Sequence, residues 1–482
     1  MSDKGFLNRL WSSFAEASPQ AVAFTAYNGK TFSDISYPQF ARDILKTVAH
    51  LQELGIKGQH IALMAPEDYR FFVMFFAAVL SGNAAVILNP ALPNEMLQWQ
   101  CKKADVSAAY APATLIGELG DSLPGMRWLA CETVREWEAR EDTQIACVAD
   151  DRTVLMMFTS GTTGQSKVVE MTGRNLEACA VSANCMYETP GMEIALHAIP
   201  RYHIGGFRSA MVCFNRLETV YIGRGIRYLF MDIPVFNPKC IVVVPAMLDN
   251  LVKLLQKART DAQRERILGT RLRRVCVGGA AVKPQTALFL MDLGIDVDVI
   301  YGMTETACIA TWCLLDREHL RTVGKPFGGM ECKISDGEIL VRGPAVMKGY
   351  YHDPEETAKV LEGEWIRTGD MGYCDESGFF YLTGRKKNVI ILSNGENVNP
   401  EEIEAALGAW GSILECMVYG DGKGICADIY TQDRDTAMQD VKAYNENTPT
   451  YRQVYKVNYS DEPLPRTGSG KIKRKENVYE QG

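Results

Sequence analysis

Apolar segments of two different periods alternate along most of this chain, and that alternation constrains its fold more than any other feature. Residues 40–54 and 71–80 carry apolar side chains at helical spacing, while 61–64 and 84–88 are short, continuous apolar runs of strand length. The pattern resumes with strands at 240–244 and 274–277 and helices at 247–258 and 284–293. Strands buried on both faces and crossed by helices predict an α/β fold with parallel-type sheets. From about 322 to 383 the texture changes to short strands punctuated by glycine, which predicts a small β-barrel or meander. After Lys387 the chain restarts with a strand at 389–392, a turn at Asn394-Gly395 and a helix at 400–407 with Asn399 as its cap. A large N-terminal domain (1–386) and a small mobile α+β C-terminal domain (387–482) are expected, as 482 residues exceed what one core usually supports.

Composition removes several classes of function. A formal charge of −8 disfavours nucleic acid or an anionic membrane as the main partner, since either needs a basic face. No apolar run reaches membrane-spanning length, and the N-terminus has no long apolar stretch behind its charges, so no membrane span is expected and the reading is cytoplasmic. The 14 cysteines are scattered without a Cys-x-x-Cys pair, and the six histidines show no paired-ligand spacing. Many of these cysteines, such as Cys213, Cys276 and Cys308, sit among apolar residues, as small buried hydrophobes do.

Chemistry concentrates first at residues 158–167, Phe-Thr-Ser-Gly-Thr-Thr-Gly-Gln-Ser-Lys. Thr159, Ser160, Thr162, Thr163 and Ser166 offer hydroxyls, Gly161 and Gly164 let backbone N–H groups approach an anion, and Lys167 adds charge. The apolar run 154–158 before it reads as a strand and residue 175 onward as a helix, which puts a phosphate-holding loop at a strand end. The spacing is not that of a Walker loop, because the glycines are three apart and Val168 follows Lys167.

Four further motifs follow: Tyr-Gly-Met-Thr-Glu-Thr at 301–306, Thr-Gly-Asp at 368–370, Gly-Arg-Lys-Lys at 384–387 and Pro-Arg-Thr-Gly-Ser-Gly-Lys at 465–471. In order and spacing the five together resemble the adenylate-forming (AMP-binding) superfamily, which includes acyl-CoA synthetases, peptide-synthetase adenylation domains and luciferases. The resemblance runs from about residue 20 to about 475. It implies a reaction in which a carboxylate attacks the α-phosphate of ATP, pyrophosphate leaves, and the acyl group passes to a thiol. Catalysis would then consist of placing positive charge and donors where negative charge crowds.

The same resemblance implies roles. Lys471 matches the lysine that contacts the carboxylate and α-phosphate; Thr304 matches a hydroxyl on that phosphate; Glu305 matches the holder of Mg2+, a hard oxygen ligand for a hard cation. Tyr301 and Gly302, with Gly278, Gly279 and Ala280, resemble the segments lining adenine. Asp370 matches the carboxylate that accepts both ribose hydroxyls and Arg385 a second ribose contact. Lys387 matches the hinge, and the segment 393–400 containing Gly395 matches the loop lining the pantetheine tunnel. Two departures stand out: Asn388 where an acidic residue often follows the hinge, and Ile300 where a polar residue often precedes the Tyr-Gly pair.

His203 lies in Pro-Arg-Tyr-His-Ile-Gly-Gly, 200–206, which resembles a segment that flanks the acid tunnel of acyl- and aryl-CoA ligases. The Tyr-His pair offers no anion for an α-ammonium, so an amino acid is disfavoured. Phe207, Ala210, Met211, Val212, Cys308 and Ile309 nearby are apolar, and a hydrophobic acid is expected. The resemblance therefore implies an ATP-dependent acid:thiol ligase that uses ATP and Mg2+ and hands a fatty or aryl acid to CoA. An acyl carrier protein as acceptor, succinylbenzoate-CoA ligase-type activity and a non-catalytic nucleotide-binding protein are the alternatives.

Overall fold

The structure is a computed structural model, and it describes residues 4–27, 29–65, 68–136, 138, 142–159, 166–186, 194–195, 199–392, 396–466, 472–475 and 477. Two compact units emerge: residues 1–332 with 341–366, and residues 333–340 with 367–482.

The first unit is built on two large sheets. One has seven strands in the order Gly349–Tyr350, Val168–Thr172, Thr153–Phe158, Ala84–Ile87, His60–Leu63, Val106–Ala111, Arg127–Ala130. Its pairings are parallel from Thr153–Phe158 onward, and the two pairings before that are antiparallel. The other has nine strands in the order Lys325–Pro326, Thr311–Leu314, Asp296–Tyr301, Arg274–Gly278, Cys240–Val243, Ile194–Ala195, Val220–Ile222, Val22–Tyr27, Phe32–Ser36. Its interior pairings are parallel and the edge pairings antiparallel. This is the α/β architecture that the alternating periods predict.

The expected helix at 71–80 is Tyr69–Leu80, and every residue from Phe71 to Leu80 is buried. A helix apolar on all sides needs apolar neighbours all round. Phe14, Phe24, Phe40 and Phe214 supply part of that surround, with Phe14 edge-on to Phe76 at 5.4 Å and Phe72 edge-on to Phe214 at 5.1 Å. The β-rich stretch forms a five-stranded sheet around Trp365–Cys374, and also gives the short strands Lys325–Pro326 and Gly349–Tyr350 to the two large sheets.

In the second unit the helices Pro400–Leu407 and Arg434–Glu446 share a core with a three-stranded sheet ordered Glu415–Gly420, Ile425–Tyr430, Val454–Ser460. Ile403, Leu407, Val418, Ala427, Ile429 and Ala437 fill it. Asn399 occupies the N-cap position but makes no side-chain cap hydrogen bond, and its Nδ2 donates to Glu402 Oε1 at 3.4 Å. The strand expected at 389–392 is reduced to Ile390–Ile391, paired with Asn397–Val398, and the Asn394-Gly395 turn lies outside the described residues.

Candidate active site

The base of the hydroxyl-rich loop is a hairpin closure. Phe158 pairs with Val168, the Thr159 N–H donates to the Lys167 carbonyl at 3.0 Å, and the Lys167 N–H donates to Thr159 Oγ1 at 3.2 Å. A strand, Val168–Thr172, separates the loop from the expected helix, which is Gly173–Val181. Ser160, Gly161, Thr162, Thr163 and Gly164 lie outside the described residues.

Lys167 Nζ forms an ion pair with Glu356 and sits 4.7 Å from the ring centre of Tyr350. Tyr350 reaches this point because Gly349–Tyr350 extends the seven-stranded sheet, with Tyr350 opposite Val169. Glu356 arrives on the helix Pro354–Val360, whose cap Asp353 accepts the Glu356 N–H at 3.2 Å. Hydrogen bonds from Lys167 and Lys359 pull the Glu356 carboxyl down to about 2. Tyr350 in turn donates its phenol to Glu305 Oε1 at 2.9 Å. Burial, then the neighbouring Glu305 charge, push that phenol well above its ordinary range, so it remains a donor.

Glu305 belongs to the other sheet. The turn Thr304–Thr306 follows directly from the strand Asp296–Tyr301 and folds back through left-handed Ala307 (φ 45°) and Cys308 (φ 67°). Non-glycine residues in that region mark strain concentrated at a tight turn. Gly302 is required there, since a Cβ would lie 2.5 Å from the Cys308 carbonyl carbon. The Met347 N–H donates to the Glu305 carbonyl at 2.8 Å, and the Glu305 side chain is buried. Gly278 is in register with Ile300, so Gly278, Gly279 and Ala280 leave the same sheet edge as Tyr301 and Gly302. Gly279 (φ 86°) and Ala280 are exposed, whereas Tyr301 and Ile300 are buried. Lys167, Tyr350 and Glu305 thus link the hairpin of one sheet to the strand ends of the other.

Magnesium fits this donor set. The cation usually takes one or two protein carboxylates, with phosphate and water at its other positions, and Glu305 is such a carboxylate held by a neutral donor. Among the described residues, no group of three or more His, Cys, Asp or Glu is placed to hold a metal ion.

His203 caps the helix Ile204–Arg216 without a side-chain cap bond, and its ring lies 4.8 Å from that of Tyr202. Gly206 must be glycine, because a Cβ would lie 2.4 Å from the Pro200 carbonyl oxygen. A Cβ on Gly205 would stand 3.7 Å from Cys308 Sγ, which brings the His203 segment beside the Glu305 turn. Phe207, Ala210, Met211 and Val212, expected near the acid, are buried in the core, with Phe207 edge-on to Phe75 at 4.9 Å.

In the second unit, Asp370 and Arg385 face each other across an antiparallel ladder and form an ion pair of 2.7 Å. Beside them lies Glu338, a buried carboxylate that sequence reasoning missed. Burial opposes its charge, but Lys386 at 2.9 Å, the Gly369 N–H at 3.0 Å and Arg367 at 3.2 Å outweigh that and hold it below its ordinary range. The available signal was the Asp336-Gly337 turn pair directly before it, whose φ values are 52° and 74°. Lys387 is exposed in the turn Lys386–Asn388. Asn388 donates to Glu401 Oε1 at 2.6 Å, a bond that an acidic residue there could not make. Gly395 and Lys471 lie outside the described residues.

Comparison with known proteins agrees with this geometry. Residues 11–351 match the AMP-binding enzyme family and residues 387–481 the AMP-binding enzyme C-terminal domain. A 2-succinylbenzoate–CoA ligase of Geobacillus is 30% identical over 95% of this chain and 94% of its own. A long-chain-fatty-acid–CoA ligase of Mycobacterium bovis is 25% identical over 89% of this chain and 82% of its own. The solved o-succinylbenzoate coenzyme A synthetase of Bacillus subtilis in complex with ATP and magnesium ion shares the fold, with a TM-score of 0.85 at 24% identity, covering 96% of this chain and 98% of that one. The chain belongs to the AMP-binding enzyme family.

Proposed function

We propose that this protein is an AMP-forming acid:thiol ligase that joins a mainly apolar fatty or aryl carboxylic acid to CoA. The Lys167, Tyr350 and Glu305 cluster carries the reading, because it sets a cation and a buried carboxylate at the ends of two sheets, beside a loop rich in small donors.

In the first half-reaction the acid's carboxylate oxygen bonds to the α-phosphorus of ATP and the bond to pyrophosphate breaks. In the second, a thiol sulfur attacks the acyl carbon and AMP leaves. Lys167 and the loop donors Thr159, Ser160, Gly161, Thr162, Thr163 and Gly164 would hold the phosphates, exchanging the Glu356 contact for substrate. Magnesium, when bound at Glu305, neutralises phosphate charge. Tyr350 orients the Glu305 carboxylate, and Thr304 donates to the α-phosphate region. Gly278, Gly279, Ala280, Tyr301 and Gly302 would shape the base site, and Asp370 with Arg385 would take the ribose hydroxyls. His203 would flank the acid. Lys471 would bridge the acid and the α-phosphate during adenylation, Lys387 would be the pivot before the second half-reaction, and Gly395 would admit the slender pantetheine arm.

No helix among the described residues is long and apolar enough to cross a membrane. The 14 cysteines are free, as suits the reducing, cytoplasmic setting proposed for it. The test is pyrophosphate release across aliphatic, aryl and amino acids, with and without CoA, with products identified by mass. An acyl-CoA from a fatty or aryl acid is the expected product. Thioester formed only on a carrier protein's phosphopantetheine would change the acceptor, and silence on every acid would overturn the reading.

A further inference from the structure

The two carboxylate oxygens of Glu338 hold different parts of the second unit. Oε1 accepts the Gly369 N–H at 3.0 Å, which fixes the peptide directly before Asp370. Oε2 accepts from Lys386 Nζ at 2.9 Å and from Arg367 Nη1 at 3.2 Å. Asp370 is paired in turn with Arg385, and Lys386 stands between Arg385 and Lys387. One side chain therefore reaches both the carboxylate assigned to the ribose and the residue before the proposed pivot. The Glu338 side chain is 2% exposed, whereas that of Lys386 is 56% exposed. An ion pair between two open, mobile side chains holds little, but here the anion is out of water and fixed by a backbone donor. Its own strand is locked beside it, because the Thr368 hydroxyl donates to the Ile339 carbonyl at 2.7 Å.

Where the backbone stops holding the chain, this tether takes over. The antiparallel ladder runs as far as Arg385, opposite Asp370. Beyond it comes the exposed turn Lys386–Asn388, whose backbone closure, from the Val389 N–H to the Lys386 carbonyl, is long at 3.4 Å. A rotation confined to one residue needs the residue before it to stay in place, and the Lys386 side chain ties that residue to the sheet. We propose that Glu338 is a positioning residue for the second half-reaction: by pinning Lys386 it confines rotation to Lys387, while its bond to Gly369 keeps Asp370 in place. The proposal rests on the ligase reading with Lys387 as its pivot.

Glu338→Gln separates the two contacts, because the side-chain amide keeps an oxygen for the Gly369 N–H and presents no anion to Lys386. In single-turnover assays with the acyl-adenylate supplied, it should cut thioester formation about ten-fold, the scale of one lost charge-assisted hydrogen bond. Adenylation and KM for ATP should stay within about three-fold of wild type. Lys386→Met should do the same, and the double variant should be no slower than either single one, since both remove one contact. Lys386→Arg, which keeps the cation, should hold thioester formation within about three-fold of wild type. A merely structural Glu338 would instead lower both half-reactions in parallel, and Lys386→Met would not copy it. Should the Glu338 variant fail to fold, Lys386→Met and Lys386→Arg, at an exposed position, still decide the matter. Unchanged thioester formation in Lys386→Met, or losses that multiply in the double variant, overturns the proposal and leaves the ligase standing. A normal second half-reaction in Lys387→Pro removes the pivot, and the proposal with it. Adenylation of no acid by the wild type overturns the ligase reading itself.

Discussion

Tyr350 donates its phenol to Glu305 across 45 residues of sequence, and this 2.9 Å bond joins the edge of the seven-stranded sheet to a strand end of the nine-stranded one. A hydrogen bond to a charged group contributes about 1.5–3 kcal/mol, and here it also fixes the direction of the carboxylate proposed to hold magnesium. Tyr350→Phe is expected to lower kcat/KM for ATP about ten-fold or more and to raise the Mg2+ concentration needed for half-maximal rate. Pyrophosphate release titrated with Mg2+ measures both. An unchanged Mg2+ requirement would separate Tyr350 from the metal.

Lys167 is shared between Glu356 and the Tyr350 ring, and the two substitutions that break this sharing should act in opposite directions. Lys167→Met removes the phosphate cation and is expected to raise KM for ATP about ten-fold or more. Glu356→Gln removes its competitor and should leave KM for ATP equal or lower. The pair is about one-third exposed, so its contribution to stability is small. Glu356 is depressed to about 2, so whatever the pair contributes is present above the ordinary carboxylate range and is lost only as pH falls toward 2. Its effect on KM should therefore be flat from about pH 6 to 9. A rise in KM for Glu356→Gln would show that Glu356 positions Lys167 rather than competing for it.

The elements of this fold were legible because their apolar periods are local. Tyr69–Leu80 and Cys240–Val243 each fall within two residues of the segments read from pattern alone. The site was legible only where a motif is contiguous, as in the turn that carries Thr304 and Glu305. Tyr350, Glu356 and Glu338 act through partners 29 to 189 positions away, and no spacing along the chain encodes such pairs. Phe207 shows an ambiguity of the opposite kind. An apolar residue after His203 suits a pocket and a core equally well in one dimension, and it packs on Phe75. Which face of that helix meets Cys308 is set by the fold, where Gly205 stands against Cys308 Sγ.

Asp298 gives the protein a pH-dependent stability. Its side chain is fully buried in the strand that ends at Tyr301; it accepts from Trp312 Nε1 at 3.1 Å and has Arg274 at 3.6 Å. Burial raises its carboxyl to about 7 against the lowering effect of Arg274. Since the folded value lies above the unfolded one, folding takes up a proton between about pH 4 and 7. Stability falls as pH rises through that window, by up to about 1.4 kcal/mol per unit, and is then level with respect to this group. Asp298→Asn should flatten the dependence of urea-unfolding free energy between pH 5 and about 7.5. Equal slopes in the two proteins would place the proton elsewhere.

Lys387 and Lys471, which end the last two motifs, should separate the half-reactions. Lys471, assigned to adenylation, is expected on Lys471→Ala to lose acid-dependent pyrophosphate release by about 100-fold or more, while thioester formation from a supplied acyl-adenylate persists. Lys387 sits exposed in the turn Lys386–Asn388, where Lys387→Pro fixes φ and removes an N–H without opening a cavity in a core. A blocked pivot should spare adenylation within about three-fold and cut thioester formation far more, the reverse of the Lys471 pattern. Single-turnover assays of each half-reaction, with the acyl-adenylate supplied for the second, read the two effects separately. Parallel loss of both half-reactions in both variants would mean that neither lysine is specific to a step, and a Lys387→Pro enzyme with a normal second half-reaction would move the pivot away from residue 387.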